Sequence, residues 1–150
     1  MKPHPVHPML VHVPIACWIL TPFCDAVALA FHIDFFWQAA ALVAAIGVMA
    51  GALAATAGAM DFARAQAKAP TLALSHASLM SGAWVLATIG LIGRIGGGYH
   101  AIVPPPWWTI AFGGVVFLIM IAGAWCGGEM VYGHAIGVRD ETAKGDLNGD

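Results

Sequence analysis

Four apolar runs constrain this chain more than any other feature: roughly residues 9–31, 36–59, 72–93 and 107–127. Each is long enough to cross a bilayer, which takes about 20 residues of helix. The chain as a whole is 60% hydrophobic and only 9% charged, where a soluble domain carries about 25% charged residues. So little charge cannot coat a globule, and the sequence specifies an integral membrane protein. Inside hydrocarbon every backbone polar group must be satisfied within the segment, so runs of this length are helices. The expected fold is all-α, an antiparallel bundle of four transmembrane helices over residues 1–138. A polar, disordered tail is expected over 139–150. The lipid bilayer is the first partner.

The chain opens on a His- and Pro-rich stretch followed by a run that can span, which does not read as a signal peptide. Lys2, Arg64, Lys68, Arg139 and Lys144 fall on the side of the chain ends and the loop Phe62–Pro70, against Arg94 alone on the other. The positive-inside rule then places both termini in the cytoplasm. Cys17, Cys24 and Cys126 lie in apolar runs without a CxxC or CxxCH, so a c-type haem, a zinc ribbon and a disulfide framework find no support. A net charge of -2 leaves no footprint for nucleic acid.

Along the chain, His7-Pro8 reads as a helix start, Pro22 as a mid-span kink and Asp25 as a carboxylate facing the bundle interior. His32 and Asp34 mark the far turn. Phe35, Phe36 and Trp37, and later Trp107 and Trp108, read as interface aromatics. Small residues recur at helical spacing along Gly47, Gly51, Ala54 and Gly58 toward Asp61. They recur again along His76, Met80, Ala83, Ala87 and Gly90, and along Gly113, Val116, Met120, Gly123, Gly127, Met130 and His134. Gly47-x-x-x-Gly51 permits close helix approach. Each half has one plan, a His-bearing entry helix and a return helix, without a residue-level repeat.

Antiparallel spans bring His7, His12, Asp61, His76, Glu129 and His134 to one end. Imidazole suits Fe, Cu, Zn and Ni, and bundles host cofactors between facing helices. Haem b, one or two copies, fits axial imidazoles from different helices, with the Gly58, Gly123 and Gly127 faces as a surface for the macrocycle. His12, His76 and His134 are the candidate ligands, with His7 as a fourth. Met80 and Met130, one turn inside, are alternative axial ligands, and Asp61 and Glu129 are candidates to orient imidazoles. A bare Cu, Zn or Fe ion would use the same histidines with Asp61 or Glu129.

The stretches His7-Pro8-Met9-Leu10-Val11-His12-Val13-Pro14-Ile15, Gly58…Asp61, His76-Ala77 and Gly127-Gly128-Glu129-Met130-Val131-Tyr132-Gly133-His134 resemble the DUF2231 family of bacterial four-helix membrane proteins. The resemblance covers nearly the whole chain, and the family carries Phe where Val13 stands. It implies a multi-pass protein of the bacterial inner membrane. Members similar to this chain stand beside or fused to Rieske-type and cytochrome c domains, which implies membrane electron transfer. By motif, the matched positions are His7, His12, Asp61, His76 and His134.

Three functions are expected from these readings. The first is a b-type cytochrome-like protein passing electrons between a membrane quinol (a quinone couple) and a cytochrome c-like or Rieske-like partner. The second is a metal-ion transporter or sensor in which Asp25 marks a permeation route and a homo-oligomer widens the pathway. The third is a structural subunit of a respiratory complex, with Gly47-x-x-x-Gly51 as a contact surface. His32 and His100 are candidates for a second, far-side site.

Overall fold

A computed structural model of the chain describes residues 6–98 and 103–137. The described residues form helices α1 (Val6–Leu10), α2 (His12–Phe31), α3 (Asp34–Lys68), α4 (Pro70–Ile95) and α5 (Trp107–Tyr132). The fold is all-α, and four helical runs are long and apolar enough to cross a membrane: Val6–Phe31, Asp34–Lys68, Pro70–Ile95 and Trp107–Tyr132. The first combines α1 and α2. Bonds from Val11 N–H to His7 O and from Ile15 N–H to Val11 O carry the helical pattern across the junction. α2 also runs through Pro22 without a break. Helix α2 ends on His32, whose φ of 54° is left-handed. That conformation stops a helix and turns the chain into α3.

The segment Phe62–Pro70 corrects its reading as a polar loop, because α3 continues to Lys68. Met60–Lys68 is polar, but it is rich in Ala, Arg, Gln and Lys, which are strong helix formers. At 35 residues and 1.5 Å per residue, α3 is about 52 Å long, well beyond the roughly 30 Å of hydrocarbon. Only Ala69 separates α3 from α4. Its extended backbone (φ -144°) suits a residue before proline, and Pro70 begins α4, where a missing N–H costs nothing.

Helix α2 packs on α3 and α5, and α4 packs on the same two helices. Helices α2 and α4 are therefore diagonal partners across the bundle. The core lies between them, around Trp18, Ala83, Val116 and Met120. Trp37, expected at an interface, is buried in this bundle, whereas Trp107 is exposed. The glycines of α3 are filled from inside. Gly47 lies against Cys17 and the Trp18 ring, and Gly51 against the Trp84 and Trp18 rings. The Gly47-x-x-x-Gly51 face is consumed within the chain, which corrects its reading as a surface for another subunit.

The tightest of these contacts is at Gly93, where a methyl group would overlap the ring of Trp108. Trp108 is held in turn by edge-to-face packing on Phe112, at 5.4 Å. Gly93→Ala is expected to destabilise the bundle by about 1–3 kcal/mol, the usual cost of overpacking. Thermal unfolding in detergent would measure it, with Gly82→Ala, where the added carbon meets nothing within 4 Å, as the neutral control.

The structure also contains a repeat that is almost invisible in residue identity. Asp25 and Arg94 meet in the bundle and are 69 residues apart. His7 and His76 are separated by the same 69 positions, as are Ala54 and Gly123, and Gly58 and Gly127. The two hairpins, α1–α3 and α4–α5, therefore place equivalent residues about a pseudo-two-fold axis between α2 and α4. His and Gly are retained at two of these positions, while Asp and Arg have become complementary at a third.

Candidate functional site

The site forms where α1 begins and α4 is in its second turn, against Ala54 and Gly58 inside α3 and Gly123 and Gly127 in the last third of α5. His7, on α1, reaches across to α3, where its Nδ1–H donates to the Ala54 carbonyl at 2.7 Å. His76, on α4, does the same to α5, with Nδ1–H donating to the Gly123 carbonyl at 2.8 Å. Each bond spans 47 residues, a direct product of the repeat. Gly58 and Gly127 supply the room: a β-carbon on Gly58 would lie 2.9 Å from the His7 ring, and one on Gly127 would lie 3.2 Å from the His76 ring. These glycines seat the imidazoles themselves. Gly123 similarly receives the side chain of Met80.

The two rings then meet across the diagonal, with centroids 6.3 Å apart and planes at 87°. A carbonyl oxygen only accepts, so Nδ1 carries the proton in both rings, and Nε2 is the nitrogen left to bind a ligand. A histidine fixed in this way, with one nitrogen bonded to a carbonyl, is oriented to ligate through the other.

The other expected site residues lie elsewhere. His12 is exposed, and its Nδ1 approaches the Met9 carbonyl of its own first turn at 3.3 Å. His134 is exposed beyond the end of α5, 3.3 Å from the Glu129 carbonyl. Asp61 pairs with Arg64 on the surface of α3 at 3.2 Å. The Glu129 carboxylate turns toward Gly133, and Met130 is buried in the bundle. None of these reaches the His7–His76 pair. Among the described residues, no group of three or more His, Cys, Asp or Glu converges. A bare structural or catalytic ion wants three or four protein donors. Two imidazoles suit a metal that arrives with ligands of its own, as haem iron does. His32 is exposed, and His100 lies outside the described residues.

What residue spacing alone missed is at the other end of the same diagonal. Asp25 and Arg94 are 1% and 2% exposed. The guanidinium makes a fork to the carboxylate, Nη1 to Oδ1 at 2.9 Å and Nη2 to Oδ2. Arg94, counted from the sequence only as the lone far-side cation, is thus a bundle-interior residue, and Asp25 is bound by it. A signal was present: each stands 18 positions after its repeat histidine, His7 or His76. They are also opposite charges at equal depth in two spans that face each other.

The family model described as "Predicted membrane protein (DUF2231)" matches residues 3–140, so the chain belongs to that family. No curated protein and no solved structure matches the chain.

Proposed function

We propose that this DUF2231 membrane protein is a small b-type cytochrome-like electron carrier that binds one haem b through His7 and His76. The observation that carries the reading is the matched pair of imidazoles. Both are held by Nδ1–H bonds to backbone carbonyls, neither Nε2 has a hydrogen-bond partner among the described residues, and their ring centres are 6.3 Å apart. Haem iron supplies reversible one-electron transfer.

The chain's own residues do the rest. The Ala54 and Gly123 carbonyls fix the tautomer, orient each ring and raise the basicity of Nε2. Gly58 and Gly127 let the rings lie close to α3 and α5. Because each half contributes one ligand from a rigid helix, the two hairpins must be docked for the pair to exist. The expected electron source is a membrane quinol, and the expected acceptor is a cytochrome c-like or Rieske-like partner. The bare-ion alternative is less well supported, because two imidazoles fall short of a closed coordination shell.

The test is the haem content of purified single variants. His12→Ala and His134→Ala should keep full haem, since neither ring touches the pair. Loss of haem in either, with the fold intact, would move the ligand set to the exposed histidines.

A further inference from the structure

Where α3 gives way to α4, an open cleft of about 210 Å³ is lined by Lys68, Ala69, Pro70, Thr71, Leu72 and His134. His134 belongs to a different part of the chain, which turns back after α5. Ala135 takes a left-handed φ of 50°, and the Ile136 N–H bonds to the Met130 carbonyl at 3.0 Å. The His134 ring is held only by a 3.3 Å approach to the Glu129 carbonyl, so it is free to turn an N–H into the cleft.

Two polar groups on the walls lack protein partners. Among the described residues the Lys and Arg side chains are Arg64, Lys68 and Arg94. Arg64 pairs with Asp61 and Arg94 with Asp25, and Lys68 alone has no carboxylate. The described threonines are Thr21, Thr56, Thr71, Thr88 and Thr109. All but Thr71 donate to a carbonyl three or four residues back. The unpaired ammonium and the unpaired hydroxyl therefore share one cleft, and no Asp or Glu lines it. Charge-assisted bonds to a phosphate oxygen suit such donors, with Lys acting as a point charge.

The depth of the cleft points to the source of that phosphate. Large apolar side chains are exposed up to Met60 on α3, Leu74 on α4 and Tyr132 on α5. Beyond them, among the described residues at this end, none is exposed, whereas Arg64, Gln66, Lys68, Thr71 and His134 are. Helix α5 has 26 residues and is about 39 Å long, close to the roughly 40–45 Å of a bilayer with its headgroups. Exposed aromatics, Trp107 and Tyr132, stand at its two ends, as in an interfacial belt. His134, two residues past Tyr132, thus lies at headgroup level, and the cleft with it.

We propose that this cleft binds the headgroup phosphate of an anionic phospholipid, held by the Lys68 ammonium and the Thr71 hydroxyl with the His134 ring as the opposite wall. Basic pockets between membrane helices are suited to such headgroups. An anionic lipid is favoured over a zwitterionic one because the cleft has no carboxylate to receive an amine. The site does not depend on haem.

The test is thermal unfolding of the full chain in an uncharged detergent, with phosphatidylglycerol, phosphatidylcholine or inorganic phosphate added in turn. A ligand that binds only the folded chain raises the midpoint. Phosphatidylglycerol at several times its Kd should raise it by about 2–4 °C, and the other two additions should not. Lys68→Gln should raise the lipid concentration needed for that rise about fivefold, and Thr71→Val should act in the same direction. Arg64→Gln, which removes a cation one turn away on the same helix, should leave the response intact. All three positions are exposed, where substitution leaves the fold intact. An equal rise with phosphatidylcholine, or a response unchanged by Lys68→Gln, would overturn the proposal. So would an equal loss in Arg64→Gln, which would mean a general charge effect, or a rise reproduced by inorganic phosphate, which would make this a site for a free anion.

Discussion

Replacing His7 or His76 with Ala should each strip bound haem from the purified protein, by at least about tenfold in affinity, since even 1.4 kcal/mol of lost ligation is that large. The two effects should be alike, because the repeat gives the two rings the same carbonyl bond and the same glycine seat. The fold should survive both changes. Each histidine is only half-buried, and its loss frees one backbone carbonyl that already serves its own helix. Absorbance per mole of protein, alongside circular dichroism, separates ligand loss from unfolding. If one variant kept full haem while the other lost it, the symmetric pair would not be the ligand set.

The second large effect is at Asp25 and Arg94. Asp25→Ala would leave a guanidinium 2% exposed with no carboxylate, and Arg94→Ala would leave the reverse. Breaking a buried pair by removing one partner costs about 3–5 kcal/mol, a large part of the roughly 5–15 kcal/mol that holds a typical domain folded. Either variant should lose the monodisperse detergent-solubilised state or melt far below the parent. The double change Asp25→Leu with Arg94→Met removes both charges together and should recover most of the loss, because apolar replacement of an ion pair is often neutral. Thermal unfolding of the three variants decides the matter. A double variant no better than the singles would mean that the pair does more than cancel its own charge.

The sequence carried the fold class in its four apolar runs and its scarcity of charge, because a bilayer leaves few solutions for such a chain. It also carried the end of the bundle at which His7 and His76 meet, since antiparallel spans return there. It did not separate His7 from His12, or His76 from His134. That depends on helix rotation, and on where Gly58 and Gly127 leave room for a ring. The small-residue faces were legible as close packing but not as to what packs there. The occupants are Trp18, Trp84, Met80 and the two imidazoles, all contributed by other helices of this chain. Arg94 was counted only as the lone far-side cation, because nothing in its own neighbourhood of the sequence shows that its partner is Asp25, 69 residues away. The repeat was hidden for a related reason. Symmetry about an axis demands matching positions, and it is satisfied as well by Asp facing Arg as by His facing His.

The central claim is that His7 and His76 hold one haem. The most direct measurement is the absorption spectrum of the detergent-purified chain, expressed with haem supplied, first oxidised and then reduced with dithionite. A Soret band, with α and β bands sharpening on reduction and one haem per chain by pyridine haemochrome, is the predicted result. A colourless protein that also fails to take up added haemin would contradict the account and leave the two imidazoles as bonds that tie α1 to α3 and α4 to α5.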